Sequence, residues 1–270
     1  MSGESLKQHP ERPVVADLLD LTGRTILVTG ASGNIGQGTA KRLAEAGAAV
    51  IAHYHNGKDA AEGLVTEIKA SSGEAVAVQA DLRSEAEIRE MLQRIRSRDL
   101  HLDGVVNNAA AQPVQAIKDI GGEDWQAVIG ANLDGAFMLS RYAAEAMRER
   151  QFAGAIVNIA SIEGLDPAPG HAHYAASKAG LIMLTRSLAL EYGCHGIRAN
   201  SVSPGLIDRP GLAEDWPEGV ARWQQNAPLS RLGLADDVAN AVLFLLSPAA
   251  GWISGSNLVV DGGMSSVSRW

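Results

Sequence analysis

Residues 25–36 read Thr-Ile-Leu-Val-Thr-Gly-Ala-Ser-Gly-Asn-Ile-Gly, an apolar run that stops in a turn with glycine at positions 30, 33 and 36. An unbroken apolar run of this length suits a strand covered by helices on both faces, where hydrophobic and polar residues need not alternate. The glycines let the backbone turn tightly and approach a pyrophosphate. A helix opening behind them, predicted over 36–45, aims its first N–H groups and its partial positive charge at the same place. Asn34 stands where many such loops carry glycine. Asn tolerates positive φ better than other side chains, so the turn is expected to form.

The same alternation repeats outward from this turn. Strands are predicted over 25–29, 49–53, 75–79, 104–107, 155–159, 198–202 and 257–260, and helices over 36–45, 60–69, 85–96, 125–149, 174–192 and 236–246. Strand and helix in strict succession predict a doubly wound α/β fold, a seven-stranded parallel Rossmann-type sheet with helices on both faces. Residues 17–270 show no composition break or internal repeat and are read as one dinucleotide-binding catalytic domain. Residues 1–16 are polar, carry Pro10 and Pro13, and are expected to form a flexible N-terminal arm. The segment 204–228 holds Pro204, Pro210, Pro217, Pro228, Trp216 and Trp223 without clear periodicity. Because it follows the carboxyl end of a strand, about 206–228 is expected to fold over the substrate as a lid, its two tryptophans forming an apolar pocket wall.

Composition narrows the function. A formal net charge of -8 on 270 residues argues against a nucleic-acid partner, which requires a basic face. No apolar run approaches the roughly 20 residues that cross a bilayer, and no basic segment followed by an apolar stretch marks a signal peptide. Cys194 is the only cysteine, so neither an internal disulfide nor a cysteine metal cluster is expected. Cys194 itself reads as a packing residue. A cytoplasmic enzyme with a small-molecule substrate fits these features.

The end of the second strand bears on which nicotinamide cofactor binds. A carboxylate there would accept from the ribose hydroxyls and repel a 2′-phosphate. Here the chain runs His53-Tyr54-His55-Asn56-Gly57-Lys58, with no acid before Asp59. That favours NADP(H), with His55, Asn56 and Lys58 as candidate donors, over NAD(H).

Tyr174 and Lys178 are four residues apart, on one face of a predicted helix. A free phenol has a pKa of about 10, and a nearby ammonium together with an oxidised nicotinamide lowers it toward use as a general acid or base. Ser161 ends the strand 155–159 region thirteen positions earlier, at the sheet edge where ligands bind in such folds. Asn132 lies within the predicted helix 125–149 despite its poor helix propensity, which marks a local kink, an internally used side chain, or both.

These pieces together resemble the short-chain dehydrogenase/reductase family, in its short single-domain, 3-oxoacyl-reductase-like branch. They are residues 29–36, Asp81-Leu82, Asn107-Asn108-Ala109-Ala110, Asn132, Ser161, Tyr174 with Lys178, Pro204-Gly205 and the closing Val260-Asp261-Gly262-Gly263. The resemblance implies that Tyr174 exchanges the proton and Ser161 polarises the carbonyl. Lys178 would lower the phenol's pKa and hold the nicotinamide ribose, and Asn132 would position a water in a relay to Lys178. Implied cofactor contacts are Gly30, Ser32, Gly33, Asn34, Ile35 and Gly36 in the turn, and Tyr54, His55 and Asn56 at the second strand. Asp81 would meet the adenine amine beside Leu82, and Asn108, Ala109 and Ala110 would line the ribose. Pro204, Gly205 and Ile207 would pack near the carboxamide. Two departures stand out. The glycine spacing is commoner in the family's longer branch, and the threonine often found after Pro-Gly is replaced by Leu206-Ile207-Asp208-Arg209-Pro210, so Asp208 or a backbone group would stand in.

The resemblance also implies a homotetramer or dimer, with contacts through the helices 125–149 and 174–192, both rich in small residues, and the C-terminal 265–270 against a neighbour. Gln112, Glu163, Leu165, His171 and His173 are further pocket candidates by position. The favoured activity is ketone reduction with NADP(H). The alternatives are an NAD(H)-dependent alcohol, sugar or polyol dehydrogenase and a non-catalytic nucleotide-sensing protein, the last having no need of the four residues together.

Overall fold

The computed structural model describes residues 13–267. Its strands are β1 (Thr25–Val28), β2 (Ala49–Tyr54), β3 (Glu74–Gln79), β4 (Gly104–Asn107), β5 (Ala155–Ile159), β6 (Arg198–Pro204) and β7 (Asn257–Val260). They form one seven-stranded sheet in the order β3-β2-β1-β4-β5-β6-β7, every neighbouring pair parallel. The order reverses between β1 and β4, which opens a crevice above their carboxyl ends.

The helices are α1 (Asn34–Glu45), α2 (Lys58–Ala70), α3 (Glu85–Arg96), α4 (Gly122–Ile129), α5 (Gly135–Glu149), α6 (Ala172–Tyr192), α7 (Leu212–Asp215), α8 (Pro217–Asn226) and α9 (Ala235–Leu246). Successive residues of β1 serve opposite faces. Ile26 and Val28 join a core with Ala40 and Leu43 of α1, Leu64 and Ile68 of α2 and Val238 and Val242 of α9. Leu27 joins the other core with Ile88 and Met91 of α3, Leu139 and Ala143 of α5 and Leu188 of α6. Both faces are therefore dry, which is why the strands read as continuous apolar runs. Burying a side chain such as Leu27 contributes roughly 2–3 kcal/mol.

Four local expectations are corrected. The predicted helix 125–149 is two helices, α4 and α5, joined by a π-helical turn at Gly130–Asp134. The segment after β6 is not without periodicity, for it contains α7 and α8, the latter opened by Pro217 at its first position. Asn34 needs no left-handed backbone. It is the first residue of α1, and the positive φ in the turn, 62°, falls on Gly30. Cys194 is exposed instead of packed.

The expected N-terminal arm lies outside the described residues except for 13–16, where Val15 opens a 3-10 turn reaching Asp17. In the C-terminal stretch 265–270, residues 268–270, Trp270 among them, lie outside the described residues too.

Candidate active site

The turn from β1 into α1 is held from three sides. Asn108, just past β4, donates through Nδ2 to the carbonyls of Thr29 (2.9 Å) and Gly30 (3.2 Å). Thr29 Oγ1 accepts from the backbone N–H groups of Asn108 (2.9 Å) and Ala109 (3.0 Å). A Cβ at Gly36 would lie 2.2 Å from the Gly30 carbonyl, and one at Gly30 would lie 2.9 Å from Ala109 Cα, so both positions require glycine. At the start of α1, Gly33 is the N-cap with no side-chain hydrogen bond, and the first turn carries no acid. Its leading N–H groups thus keep their donor capacity, the condition a pyrophosphate needs. This cradle fits a dinucleotide.

His53 is the third support, and one that sequence reasoning passed over. Its ring is buried at the end of β2. Nδ1 accepts from the Gly30 N–H at 3.3 Å, and Nε2 lies 3.0 Å from the Ala80 carbonyl just beyond β3. An N–H on one side and a carbonyl on the other fix the neutral tautomer with its proton on Nε2. Burial pushes its pKa down to about 4, against a smaller opposing pull from the Ala80 carbonyl. No periodicity signals such a residue, because its partners come from two other connections.

At the end of β2, Tyr54 is buried while His55 and Asn56 are exposed, and Gly57 packs against Ser32, whose Cβ and Oγ would each lie 2.7 Å from an added Cβ. Asp81 is held in a bidentate pair by Arg83, with Arg83 Nη2 2.6 Å from Oδ2 and Nε 3.0 Å from Oδ1. His55 Nε2 stands 3.8 Å from the same carboxylate. The Arg83 hydrogen bonds hold Asp81 down at a pKa of about 2. The side chain of Leu82 packs into the core with Leu27, and Ile35 lies at the edge of the core on the opposite face of the sheet.

Tyr174, Ser161, Lys178 and Asn132 are brought together at the carboxyl end of β5. Lys178 is buried on α6 and donates through Nζ to the Ile159 carbonyl at 2.7 Å, tying the helix to the last residue of β5. That Nζ lies 5.5 Å from the centre of the Tyr174 ring. Ser161 follows β5 directly, and its Oγ accepts from the Glu163 N–H at 3.1 Å, leaving its own proton to donate elsewhere. Asn132 sits in the π-helical turn with its amide used inward, so both sequence readings hold. Oδ1 accepts from the Ala111 N–H (2.7 Å), and Nδ2 donates to the Ala111 carbonyl (2.9 Å) and to Ser177 Oγ (3.0 Å). Ser177 in turn donates to the Tyr174 carbonyl at 2.7 Å.

The electrostatics qualify one expectation. Burial drives the Tyr174 phenol up to about 12, partly offset by the Ser161 hydroxyl and reinforced by the charge of Glu163. Burial also brings Lys178 down to about 8. The Ser161 hydroxyl works against the phenol's rise, the Lys178 ammonium stands 5.5 Å from the ring, and an oxidised nicotinamide, when bound, would add positive charge that favours the phenolate further.

Where β6 ends at Pro204, Gly205 meets the segment that carries α7 and α8. Trp223 of α8 lies against Gly205, where an added Cβ would come within 2.7 Å of the indole. Leu212, Val220 and Leu232 form a small core with Leu206 and Trp223 packed against it. Asp208 donates from its N–H to the Gly233 carbonyl (2.7 Å) and accepts at its own carbonyl from Asn34 Nδ2 (2.6 Å). Its backbone is thus committed to neighbours in place of the contact expected of the missing threonine, and Ile207 bridges to Gly233.

Comparison with known proteins agrees with this geometry. A family model described as enoyl-(acyl carrier protein) reductase matches residues 30–265. The chain is 37% identical over 248 residues to 3beta-hydroxysteroid dehydrogenase 1 of Eggerthella lenta, covering 91% of this chain and 95% of that protein. It is 38% identical over 247 residues to a 3-oxoacyl-[acyl-carrier-protein] reductase of Synechocystis sp., covering 90% of this chain and 98% of the relative. Among solved structures, a gluconate 5-dehydrogenase from Burkholderia cenocepacia, in complex with NADP and tartrate, superposes with a TM-score of 0.87 at 31% identity, over 93% of this chain and 99% of that one.

Proposed function

This chain belongs to the short-chain dehydrogenase/reductase family and is an NAD(P)(H)-dependent oxidoreductase of carbonyl and alcohol groups, and from that premise we propose that it reduces a ketone with NADPH. The observation that carries the reading is the gathering of Tyr174, Ser161 and Lys178 at the end of β5, beside the glycine cradle. When bound, the nicotinamide supplies the hydride to the carbonyl carbon. Ser161 donates a hydrogen bond to the carbonyl oxygen, and Tyr174 delivers the proton that completes the alcohol. Lys178 holds positive charge beneath the phenol and a ribose hydroxyl, while Asn132 maintains the Ala111 loop and, through Ser177, the backbone of Tyr174. In the alcohol-oxidising direction Tyr174 takes the proton back.

Support for the 2′-phosphate comes from the end of β2, where His55 and Asn56 are exposed, and from Asp81, a carboxylate 3.8 Å from His55 that Arg83 neutralises. The solved relative's complex with NADP points the same way. The turn residues Gly30 to Gly36, Asn108 to Ala110 and Pro204 to Ile207 complete the cofactor groove in this reading, with 206–228 as the lid over the substrate and 17–270 as one catalytic domain.

Assembly as a homotetramer or dimer is supported by exposed apolar residues. Ala176, Ala179, Met183 and Leu190 form an exposed stripe on α6, and Phe137 of α5, Trp252, and Leu258 and Val259 on edge strand β7 are exposed apolar side chains as well. The small residues Ala143 and Ala144 do not take part, being buried in the chain's own core. Among the described residues no helix is long and apolar enough to cross a membrane. We place the enzyme in the cytoplasm.

The test is a titration of both cofactors followed by turnover of a ketone panel, read at the nicotinamide absorbance. NADPH is expected to bind at least tenfold tighter than NADH, about 1.4 kcal/mol. Tighter binding of NADH would overturn the phosphate assignment, and absence of turnover with every ketone and alcohol would overturn the reaction.

A further inference from the structure

A carboxylate that the hydride and proton transfers do not require stands beside Ser161 and Tyr174. Glu163 Oε1 accepts from Gln112 Nε2 at 3.2 Å, and Oε2 lies 2.7 Å from His171 Nδ1. The side chains of Glu163 and His171 are only 17% and 16% exposed. Three connections meet on this one group: Gln112 follows β4, Glu163 follows β5, and His171 is the N-cap of α6. The Glu163 N–H donates to Ser161 Oγ, and the His171 ring stands edge-on to Tyr174 with centroids 6.0 Å apart. The trio is therefore built onto the two residues that would grip the carbonyl oxygen.

An ionised carboxylate offers about four acceptor sites, and Gln112 and His171 occupy two here. A substrate with only hydrocarbon beside its carbonyl would strip water from a half-satisfied carboxylate and return nothing, a desolvation penalty of the kind that makes sites reject analogues lacking one hydroxyl. A hydroxyl at the same place would donate to the open acceptor sites.

We propose that Glu163, oriented by Gln112 and His171, accepts a hydrogen bond from a hydroxyl on the carbon next to the reacting carbonyl, making α-hydroxy ketones and the corresponding vicinal diols the substrate class. This rests on the ketone-reductase reading above and narrows it. Glu163 determines specificity, Gln112 and His171 hold it in place, and none of the three takes part in hydride or proton transfer.

The experiment compares kcat/KM for 3-hydroxybutan-2-one and butan-2-one, which differ by one hydroxyl, in the wild-type chain and in Glu163→Leu, Glu163→Gln and Gln112→Leu. Wild type is expected to favour the hydroxy ketone by at least about 100-fold, short of the roughly 10⁴–10⁵ reached where a fully enclosed site reads a hydroxyl by hydrogen bonding, because Glu163 keeps some exposure. Glu163→Leu should cut that ratio at least tenfold, and Glu163→Gln, which keeps an acceptor oxygen, should retain more of it. A merely structural lesion would slow both ketones alike and leave the ratio intact. Gln112 is exposed, so Gln112→Leu should fold and lower the ratio by a smaller factor even if the Glu163 variants do not fold. Turnover of both ketones without preference, or a ratio unchanged in the variants, overturns the assignment of Glu163 alone. No turnover of any ketone or alcohol with either cofactor overturns the reaction and this assignment with it.

Discussion

Lowering the pH should unlock the nucleotide cradle through His53. The ring is neutral when folded, with a pKa pushed by burial from 6.5 to about 4. In the unfolded chain it titrates at its ordinary value, so the unfolded state binds the proton first as pH falls. The stability contributed by the neutral ring is complete above pH 6.5 and is lost as pH falls through about 4. A difference of about 2.5 units at about 1.36 kcal/mol each gives a loss of about 3 kcal/mol. Protonation also places an N–H on Nδ1 opposite the Gly30 N–H, two donors face to face, so Gly30 must move. Glutamine can accept from Gly30 and donate to Ala80 without titrating. Urea unfolding of wild type and His53→Gln between pH 7 and pH 4 should therefore show the wild type losing about 3 kcal/mol more than the variant, with NADPH affinity declining over the same window in wild type only. Parallel stability curves would refute the reasoning.

Two further outcomes follow from the geometry. Tyr174→Phe should lower kcat by roughly 10²–10⁴-fold, the worth of a positioned general acid, with cofactor affinity within twofold of wild type by fluorescence titration; a fully active variant would defeat the mechanism. Gly36→Ala places a methyl 2.2 Å from the Gly30 carbonyl, so the melting midpoint should fall by the equivalent of about 1–3 kcal/mol and NADPH binding should weaken. A variant that melts and binds like wild type would show that the turn can give way.

The parts of this molecule that were readable from the sequence are those whose signal is local. Leu27 and its neighbours announce a strand because both faces of the sheet are covered, and Tyr174 and Lys178 share a helix face by spacing alone. What stayed hidden depends on partners distant in the chain. His53 looks like an ordinary polar residue at a strand end until Gly30 and Ala80 close on it. The meeting of Gln112, Glu163 and His171 spans three loops, and position made them candidates without revealing that they bind one another. The helix α8 was obscured by the prolines around it, although Pro217 followed by Glu218 is a helix-start signal that was there to be read. The break between α4 and α5 is invisible to periodicity because an amide, not an apolar stripe, causes it.

That break gives chain length a meaning of its own. A π-helical turn holds one residue more than an α-turn over about the same rotation. Deleting one residue within Gly130–Asp134 would therefore let the wide turn close into a regular helix with the segments on either side still in phase, so Val128 of α4 and Leu139, Ala143 and Met147 of α5 would keep their buried faces. A deletion inside α5 itself would instead turn part of that helix by about 100° and carry its core face toward solvent. What the extra residue supplies is local: it lets Asn132 point inward and hold both backbone polar groups of Ala111 without disturbing the packing of α4 or α5.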